Sequence, residues 1–240
     1  MLSKNINKIQ DDSDLFITRK RKKYKFAKFN ELENCFQFDE WLKEKSNIVS
    51  SKTDLIIEVG AGTGLLSVEL AKRHPENFYV AVDIKSDRLY TGAKYAKEHG
   101  IKNITFVRSD IWQLKELFIG NNVKEIWITF PDPYTNDDQT RLKKSDAKHR
   151  LTHPRFLEVY KEILLESKSD SKRVCFKTDN KPLFDWSKEQ FSGSGWQIIE
   201  ITNDLHNSEL SDDYKIKTSY ETKFSAQGLP IHLLTAKIES

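Results

Sequence analysis

The 240-residue sequence has little cysteine and no residue spacing typical of a metal site. Its two cysteines, Cys35 and Cys175, lie far apart, without a CxxC partner or a nearby histidine ligand pattern. Zinc sites and disulfide frameworks need clustered cysteines, so neither is indicated and both thiols are expected to be buried. The six histidines show no HExxH-like spacing. We therefore predict no metal.

Long apolar runs are also missing. None approaches the roughly 18 residues that a membrane helix needs, and the polar N-terminus lacks the apolar segment of a signal peptide. A hydrophobic fraction of 38% with 31% charged residues is that of an ordinary soluble protein. We expect a cytoplasmic protein with no membrane partner and no obligate protein partner. A monomer and a homodimer both stay open.

The net charge is only +3, but the cations are unevenly distributed. Arg19 to Lys28 reads "RKRKKYKFAK", with seven cations and two aromatic residues in ten positions, and Arg141 to Arg150 is a second basic stretch. Cations neutralise phosphates and aromatic rings stack on unpaired bases, so both runs favour nucleic-acid contact. The alternative is a solvated basic surface. We predict that residues 1–50 form a basic N-terminal extension and a first helix, which contact a nucleic acid.

From residue 51 to residue 240, strand-like and helix-like segments alternate. Such alternation predicts an α/β fold of the Rossmann-like type, with a mostly parallel sheet and helices on both faces. The seven strand-like segments are 55–59, 78–83, 103–110, 125–130, 173–179, 196–202 and 231–238. The helix-like segments are 65–74, 86–98, 111–118, 153–166 and 181–192.

The most informative residues follow the ends of the first four predicted strands. In "LIIEVGAGTGLLSVEL" three glycines occupy five positions where a strand gives way to a helix, which predicts a tight turn pressed close to a ligand. Parallel strands bring their carboxyl ends to one edge, where such folds bind ligands. The residues expected at this edge are Gly60, Gly62, Gly64, Asp83, Asp110 and the segment 130–134, "FPDPY".

The spacing indicates which ligand this edge binds. The third glycine is misplaced for a nicotinamide site, and no Gly-Lys-Ser/Thr follows for a P-loop. Glu58 would repel a pyrophosphate but suits a cationic ligand. Asp83 lies where an acidic residue accepts ribose hydroxyls, and Asp110 can accept from an adenine amino group. S-adenosylmethionine has a ribose, a sulfonium and an amino group but no phosphate, so it is the predicted cofactor. The alternative is a plain strand-to-helix turn with surface acids.

Further motifs carry a resemblance to a known family. "IIEVGAGTG", "AVDIKS", "SDI", "FPDPY", "KHRLTHPRFLEVYKEIL", "FKTDN" and "TSYETKF" together resemble the bacterial tRNA (guanine-N7)-methyltransferases. These are class I S-adenosylmethionine enzymes that modify guanine 46 in the tRNA variable loop. The resemblance runs from about Phe26 to Ile238. It implies the same activity, with tRNA as the partner and as the nucleic acid that residues 1–50 contact.

The resemblance also implies roles for individual residues. Asp132 takes the position that faces both cofactor and guanine. Where the family has PDPW, this sequence has PDPY followed by about eight extra residues. After this gap, Lys143 matches the lysine that contacts the substrate in the family. The other positions implied to contact cofactor are Glu58, Asp83 and Asp110, and those implied to contact substrate are Asp179, Thr218, Ser219, Tyr220 and Glu221.

The chemistry agrees with so few catalytic residues. N7 of guanine has an in-plane lone pair and carries no proton at neutral pH, so no general base is needed. Positioning and a carboxylate that stabilises positive charge on the ring are sufficient, and Asp132 is the candidate. One rival, methylation of an exocyclic amine, uses an Asp/Asn-Pro-Pro-aromatic motif, whereas here Pro131 precedes Asp132. The other rival is a non-catalytic RNA-binding scaffold.

Overall fold

Eight strands and seven α-helices make up the computed structural model of the chain, which describes residues 19–50, 53–134, 144–218, 220–222 and 229–239. The strands are β1 (Cys35–Gln37), β2 (Leu55–Val59), β3 (Phe78–Asp83), β4 (Ile104–Arg108), β5 (Val123–Thr129), β6 (Arg173–Thr178), β7 (Trp196–Thr202) and β8 (His232–Ile238). The helices are α1 (Arg19–Asn30), α2 (Phe38–Ile48), α3 (Leu65–Arg73), α4 (Ser86–Glu98), α5 (Leu114–Phe118), α6 (Pro154–Glu166) and α7 (Lys181–Gly193).

The strands form one sheet in the order β1-β4-β3-β2-β5-β6-β8-β7. The pairs from β1 to β6 are parallel, while β8 runs antiparallel to both β6 and β7. From β2 the chain builds outward first through β3 and β4 and then through β5 and β6. The strand order therefore reverses between β2 and β5, and in open α/β sheets ligands bind beyond the carboxyl ends of the strands at such a point.

Apolar side chains on the two faces of the sheet form two separate hydrophobic cores, one on each face. In β2, Leu55, Ile57 and Val59 belong to one core, whereas Ile56 belongs to the other. This alternation follows from the two-residue period of a strand, and helices cover both faces. The predicted mostly parallel α/β sheet is thus confirmed.

The strand count differs from the prediction, because the structure has eight strands rather than seven. The additional strand is β1, whose three residues pair with β4 from Cys35↔Phe106 to Gln37↔Arg108. Three residues are too few to show a period in the sequence. Before β1, helix α1 packs on α4, with Phe29 fully buried. The segment 19–50 therefore adds one strand, β1, to the sheet formed by the residues that follow it.

Two further properties concern the described residues as a whole. No helix among them is long and apolar enough to cross a membrane. Their histidine, cysteine and acidic side chains nowhere form a group of three that could hold a metal ion. Cys35 and Cys175 are both buried thiols, as their isolated positions in the sequence led us to expect.

Candidate functional site

The glycine turn joins β2 to α3 at the point where the strand order reverses. Gly62 and Gly64 have φ angles of +57° and +69°, which side-chain-bearing residues rarely adopt. A Cβ on Gly64 would lie 2.7 Å from the Phe106 ring, whereas a Cβ on Gly62 would have no described atom within 4 Å. The turn is therefore packed against the sheet at Gly64 and open at Gly62. Gly60 shares the positive φ, at +68°.

Asp83 ends β3 beside this turn. Its carboxylate accepts backbone hydrogen bonds from Gly62 N at 2.8 Å and from Lys85 N at 2.7 Å, and the residue is 8% exposed. Burial raises the pKa of Asp83, and the two backbone donors oppose the shift. The next residue, Ile84, is 54% exposed. Asp83 thus presents a polar acceptor beside an uncovered apolar side chain.

Asp110 follows β4, so Asp83 at the end of β3 lies between Asp110 and the glycine turn after β2. Asp110 Oδ1 accepts from Trp112 N at 3.0 Å and so caps a 3-10 helix, Ile111–Gln113. The Gln113 side chain returns a hydrogen bond by accepting from Asp110 N at 3.1 Å. This reciprocal capping fixes the orientation of the carboxylate. The structure therefore brings the glycine turn, Asp83 and Asp110 to one edge, on three adjacent strands, as predicted.

We call the carboxyl edge of the sheet, where the glycine turn, Asp83 and Asp110 lie, the rim. Glu58 is buried below this rim. It is 2% exposed and accepts from Ser67 Oγ at 2.6 Å, from Ser67 N at 3.3 Å and from Thr129 Oγ1 at 2.7 Å. Burial raises the pKa of Glu58, although these donors favour its charged form. In the structure Glu58 thus links β2 to α3 and β5. Direct contact between Glu58 and a cofactor stays a prediction.

Asp132 is exposed on a loop with unusual backbone geometry. The residues that bracket "PDP", Phe130 and Tyr134, have φ angles of +47° and +44°, and such values in non-glycine residues are a form of strain concentrated at functional sites. Arg150 holds the loop: its Nε donates to Pro133 O at 2.9 Å and its Nη2 to Tyr134 O at 3.0 Å. The Arg150 guanidinium therefore restrains the backbone of the loop that carries Asp132.

Asp179 and Tyr220 complete the same part of the rim. The Tyr220 hydroxyl donates to Asp179 Oδ2 at 3.5 Å, and its ring centroid lies 5.2 Å from that of Phe130. Partial burial, together with the nearby carboxylates of Asp179 and Asp132, raises the pKa of Tyr220 to about 12. These residues come from the ends of β5 and β6 and from a later segment. The structure therefore brings Asp132, Asp179 and Tyr220 together.

Glu221 is placed differently from its implied role. Its side chain is fully buried, and Oε2 pairs with Lys177 Nζ at 2.8 Å, which is also fully buried. Lys177 Nζ also donates to Tyr214 O at 2.8 Å and to Ile216 O at 2.9 Å. His206 Nε2 lies 2.6 Å from the other oxygen, Oε1. The inward-facing carboxylate has these protein partners rather than an open path to a substrate.

Burial lowers the pKa of Lys177, and the Glu221 carboxylate opposes the shift. The pair anchors the segment that carries Thr218, whose N–H donates to Glu221 Oε2 at 3.3 Å and whose Oγ1 accepts from Glu221 N at 3.1 Å. Lys143 and Ser219 lie outside the described residues. Sequence reasoning missed Lys177, although a lysine inside the apolar strand "RVCFKT" was a usable signal.

Comparison with known proteins agrees with this geometry. A family model for methyltransferases, Methyltransf_4, matches residues 52–234. A tRNA (guanine-N(7)-)-methyltransferase of Christiangramia forsetii is 34% identical over 82% of this chain and 84% of its own. The enzyme of that name from Cytophaga hutchinsonii is 36% identical over 89% of this chain and 96% of its own. The chain belongs to the tRNA (guanine-N(7)-)-methyltransferase family.

Solved structures support the fold of this family member. A 16S rRNA (adenine(1408)-N(1))-methyltransferase from Catenulisporales acidiphilia, determined as a point mutant with cosubstrate SAM, superposes with a TM-score of 0.52. The match covers 85% of this chain and 91% of that one, at 16% identity. The predicted Rossmann-like class I methyltransferase fold and the predicted family are confirmed.

Proposed function

We propose that the protein transfers a methyl group from S-adenosyl-L-methionine to N7 of a guanine in tRNA, at position 46 of the variable loop. The observation that supports this most is the convergence of Asp132, Asp179 and Tyr220 beside the glycine turn. A carboxylate pair next to an aromatic ring suits a purine that gains positive charge beside a bound cofactor. Since tRNA is a cytoplasmic substrate, we assign the protein to the cytoplasm, as a monomer or homodimer.

The residues at the rim fit this cofactor. When bound, S-adenosylmethionine supplies a methyl group activated by a sulfonium. Asp83 is a buried acceptor that suits a ribose diol, and the exposed side chain of Ile84 beside it suits an adenine face. Asp110 suits the adenine amino group, because a carboxylate accepts several hydrogen bonds in addition to the one from Trp112 N. The open side of Gly62 admits a ligand against the backbone.

Besides the predicted contact with the cofactor, Glu58 contributes through its charge. Its carboxylate lies under the glycine turn, bonded to the first turn of α3 at Ser67. In a buried setting a negative charge acts over several ångströms. We propose that it favours the positive charge of the cofactor from beneath the turn.

On the substrate side, the chain has to hold the guanine and balance its charge. N7 of guanine needs no general base to accept a methyl group, since it carries no proton at neutral pH. Asp132 stabilises the positive charge that develops on the ring, a role in which a fixed carboxylate is most effective. Asp179 and Tyr220 orient the base, with Thr218 beside them. Lys143 and Ser219 complete the proposed substrate contacts.

Glu221 has a positioning role in this scheme. Its carboxylate is saturated by Lys177, His206 and the Thr218 amide. It therefore acts through the segment that carries Tyr220, by fixing that segment to β6.

The basic N-terminal segment is proposed to contact the tRNA outside the catalytic rim. In α1, Tyr24 is 59% exposed and Phe26 is 41% exposed, and the Arg108 guanidinium lies 5.5 Å from the Phe26 ring centroid. Phe26 and Arg108 line a groove together with Lys23, Lys85 and Ile84, so the groove adjoins the proposed adenine site. Cations interleaved with aromatic rings suit a phosphate backbone and its bases.

The experiment that tests the proposal offers two RNA substrates. The protein is incubated with methyl-labelled cofactor and either tRNA lacking the modification or small ribosomal subunits. We expect label to enter tRNA. Label only in ribosomal RNA, or none in either RNA despite bound cofactor, would contradict the proposed function.

A further inference from the structure

A band of stacked aromatic and cationic side chains lies beside the catalytic rim, and neither the cofactor nor the guanine accounts for it. It consists of Trp112, Arg155, His153, Trp186 and Arg150. The Arg155 guanidinium lies 4.2 Å from the Trp112 ring centroid, and that of Arg150 lies 4.4 Å from the Trp186 centroid. The His153 ring connects the two pairs, with its centroid 6.3 Å from that of Trp186. We call these five residues the Trp112–Trp186 band.

The band is continuous with the site at both ends. Arg150 donates to the carbonyls of Pro133 and Tyr134, on the loop that presents Asp132. Trp112 follows Asp110 in the 3-10 helix, and its ring centroid lies 4.7 Å from that of Phe156 at the start of α6. A polymer whose target nucleotide sits at Asp132 would therefore extend over the band.

The charge of the band is positive. Among the described residues, neither Arg150 nor Arg155 forms a salt bridge with a carboxylate. The buried Nε of Arg155 has no hydrogen-bond partner within that part of the chain. Two acids, Asp132 and Asp146, lie near Tyr134 at the Arg150 end of the band. Both acids lie at the Arg150 end, so the guanidinium of Arg155, which has no carboxylate partner among the described residues, is the group of the band that attracts an anion.

His153 adds a neutral hydrogen-bond donor. Burial lowers the pKa of His153, and the charges of Arg155 and Arg150 lower it further, so the ring is neutral near pH 7. Its Nδ1 accepts from Arg155 N at 3.3 Å, which places the ring proton on Nε2. That N–H and the two guanidinium groups can all donate to phosphate oxygens.

Trp112 supplies the stacking surface. Its side chain is 51% exposed, which is unusual for so large an apolar residue, although one side is covered by Arg155 and Phe156. Every base has a π-face, so an exposed indole that is held rigid stacks on bases without regard to sequence.

We propose that the Trp112–Trp186 band binds the RNA nucleotides next to the target guanine, with a base stacked on Trp112 and backbone phosphates on Arg155 and His153. This inference rests on the proposed function, because the RNA that reaches the band is the one whose guanine reaches Asp132. Arg150 has a second task at the Asp132 loop, so variants of Trp112 and Arg155 are the ones suited to a test.

The test measures tRNA binding by fluorescence anisotropy over a salt titration. Trp112→Ala should weaken binding by about 5- to 150-fold, the range for loss of one base stacked on an aromatic ring, with little change in salt dependence. Trp112→Phe should restore most of the affinity. Arg155→Gln should reduce the slope of log affinity against log salt by about 0.7–0.9, the effect of one lost phosphate contact.

Matched controls come from the opposite edge of the sheet. Lys124 lies at the start of β5, and Leu165 lies at the end of α6 with 60% exposure. Lys124→Gln and Leu165→Ala should leave tRNA binding unchanged. Cofactor affinity, measured by calorimetry, should be unchanged in all five variants and serves as the check on folding.

Two outcomes would overturn the inference alone. In the first, wild type binds and methylates tRNA while the Trp112 and Arg155 variants behave like the controls. In the second, Trp112→Ala weakens cofactor binding but not tRNA binding, which assigns the indole to the cofactor pocket. If wild type neither binds nor methylates tRNA, both the inference and the proposed function fail.

Discussion

The buried ion pair between Lys177 and Glu221 allows a quantitative prediction for Glu221→Gln. The substitution removes the charge that balances a fully buried ammonium and leaves it with the carbonyl oxygens of Tyr214 and Ile216. Breaking a buried pair on one side costs about 3–5 kcal/mol of folding free energy. Since Lys177 can instead release its proton, its ordinary pKa of 10.5 sets a ceiling near 5 kcal/mol at pH 7.

The assay is urea unfolding of wild type and variant, followed by circular dichroism. Asp185→Asn is the matched control, because Asp185 pairs with Lys181 at the surface, where both side chains are about half exposed. An exposed pair contributes at most about 1 kcal/mol. Glu221→Gln should therefore destabilise the protein by several times as much as the control, and Lys177→Met combined with Glu221→Leu should recover part of the loss.

The pH dependence of the variant provides an independent check. Without Glu221, the folded protein holds Lys177 at a pKa below that of the unfolded chain, so the unfolded state binds more protons between the two values. Stability of the variant should then rise with pH as the value of 10.5 is approached, relative to wild type. A loss below about 1 kcal/mol at pH 7, equal to that of Asp185→Asn, would refute the argument that this pair anchors the Tyr220 segment.

Three further predictions concern the cofactor, the chemistry and the RNA. Asp83→Ala should weaken cofactor binding by about 1.5–3 kcal/mol, the value of a charge-assisted hydrogen bond. Burial raises the pKa of Asp83, and the ribose hydroxyls favour its ionised form, so the affinity of wild type for the cofactor should fall as pH decreases through that raised pKa. Asp83→Asn should show a flatter pH profile of cofactor affinity in calorimetry. Identical profiles for the two proteins would contradict this assignment. Asp132→Asn should lower the single-turnover methylation rate by on the order of 10²-fold with a smaller effect on tRNA binding, and a nearly full rate would exclude its charge-stabilising role. Neutralising residues 21–23 together should weaken tRNA binding and reduce its salt slope by roughly 0.7–0.9 per lost contact without changing cofactor affinity, while superimposable salt titrations would identify these cations as a solvated surface.

The sequence predicted the parts of the fold that depend on local pattern. The glycine turn, Asp83 and Asp110 each follow a strand with a clear apolar pattern, and parallel pairing then requires them to share an edge. β1 was not predicted, because its three residues gain their structure from pairing with β4 rather than from their own pattern.

The parts that were missed depend on contacts between distant segments. No residue near Glu58 in the sequence indicates that Thr129, in β5, donates a hydrogen bond to the Glu58 carboxylate. The ion pair of Lys177 with Glu221 likewise joins residues 44 positions apart. Whether an acidic residue faces a ligand or the interior is decided by such pairings, so a family motif identifies the position of Glu221 but not the direction of its side chain.

The identity of the methylated atom decides whether the protein is a guanine-N7 methyltransferase. tRNA that has reacted with methyl-labelled cofactor is digested to nucleosides, and the labelled product is identified by mass spectrometry against standards. We expect N7-methylguanosine, because Asp132 and Asp179 suit a purine ring that gains positive charge without losing a proton. Label on an exocyclic amine of adenine or cytosine would contradict it, since that reaction must remove a proton and needs a different motif from Pro131-Asp132-Pro133.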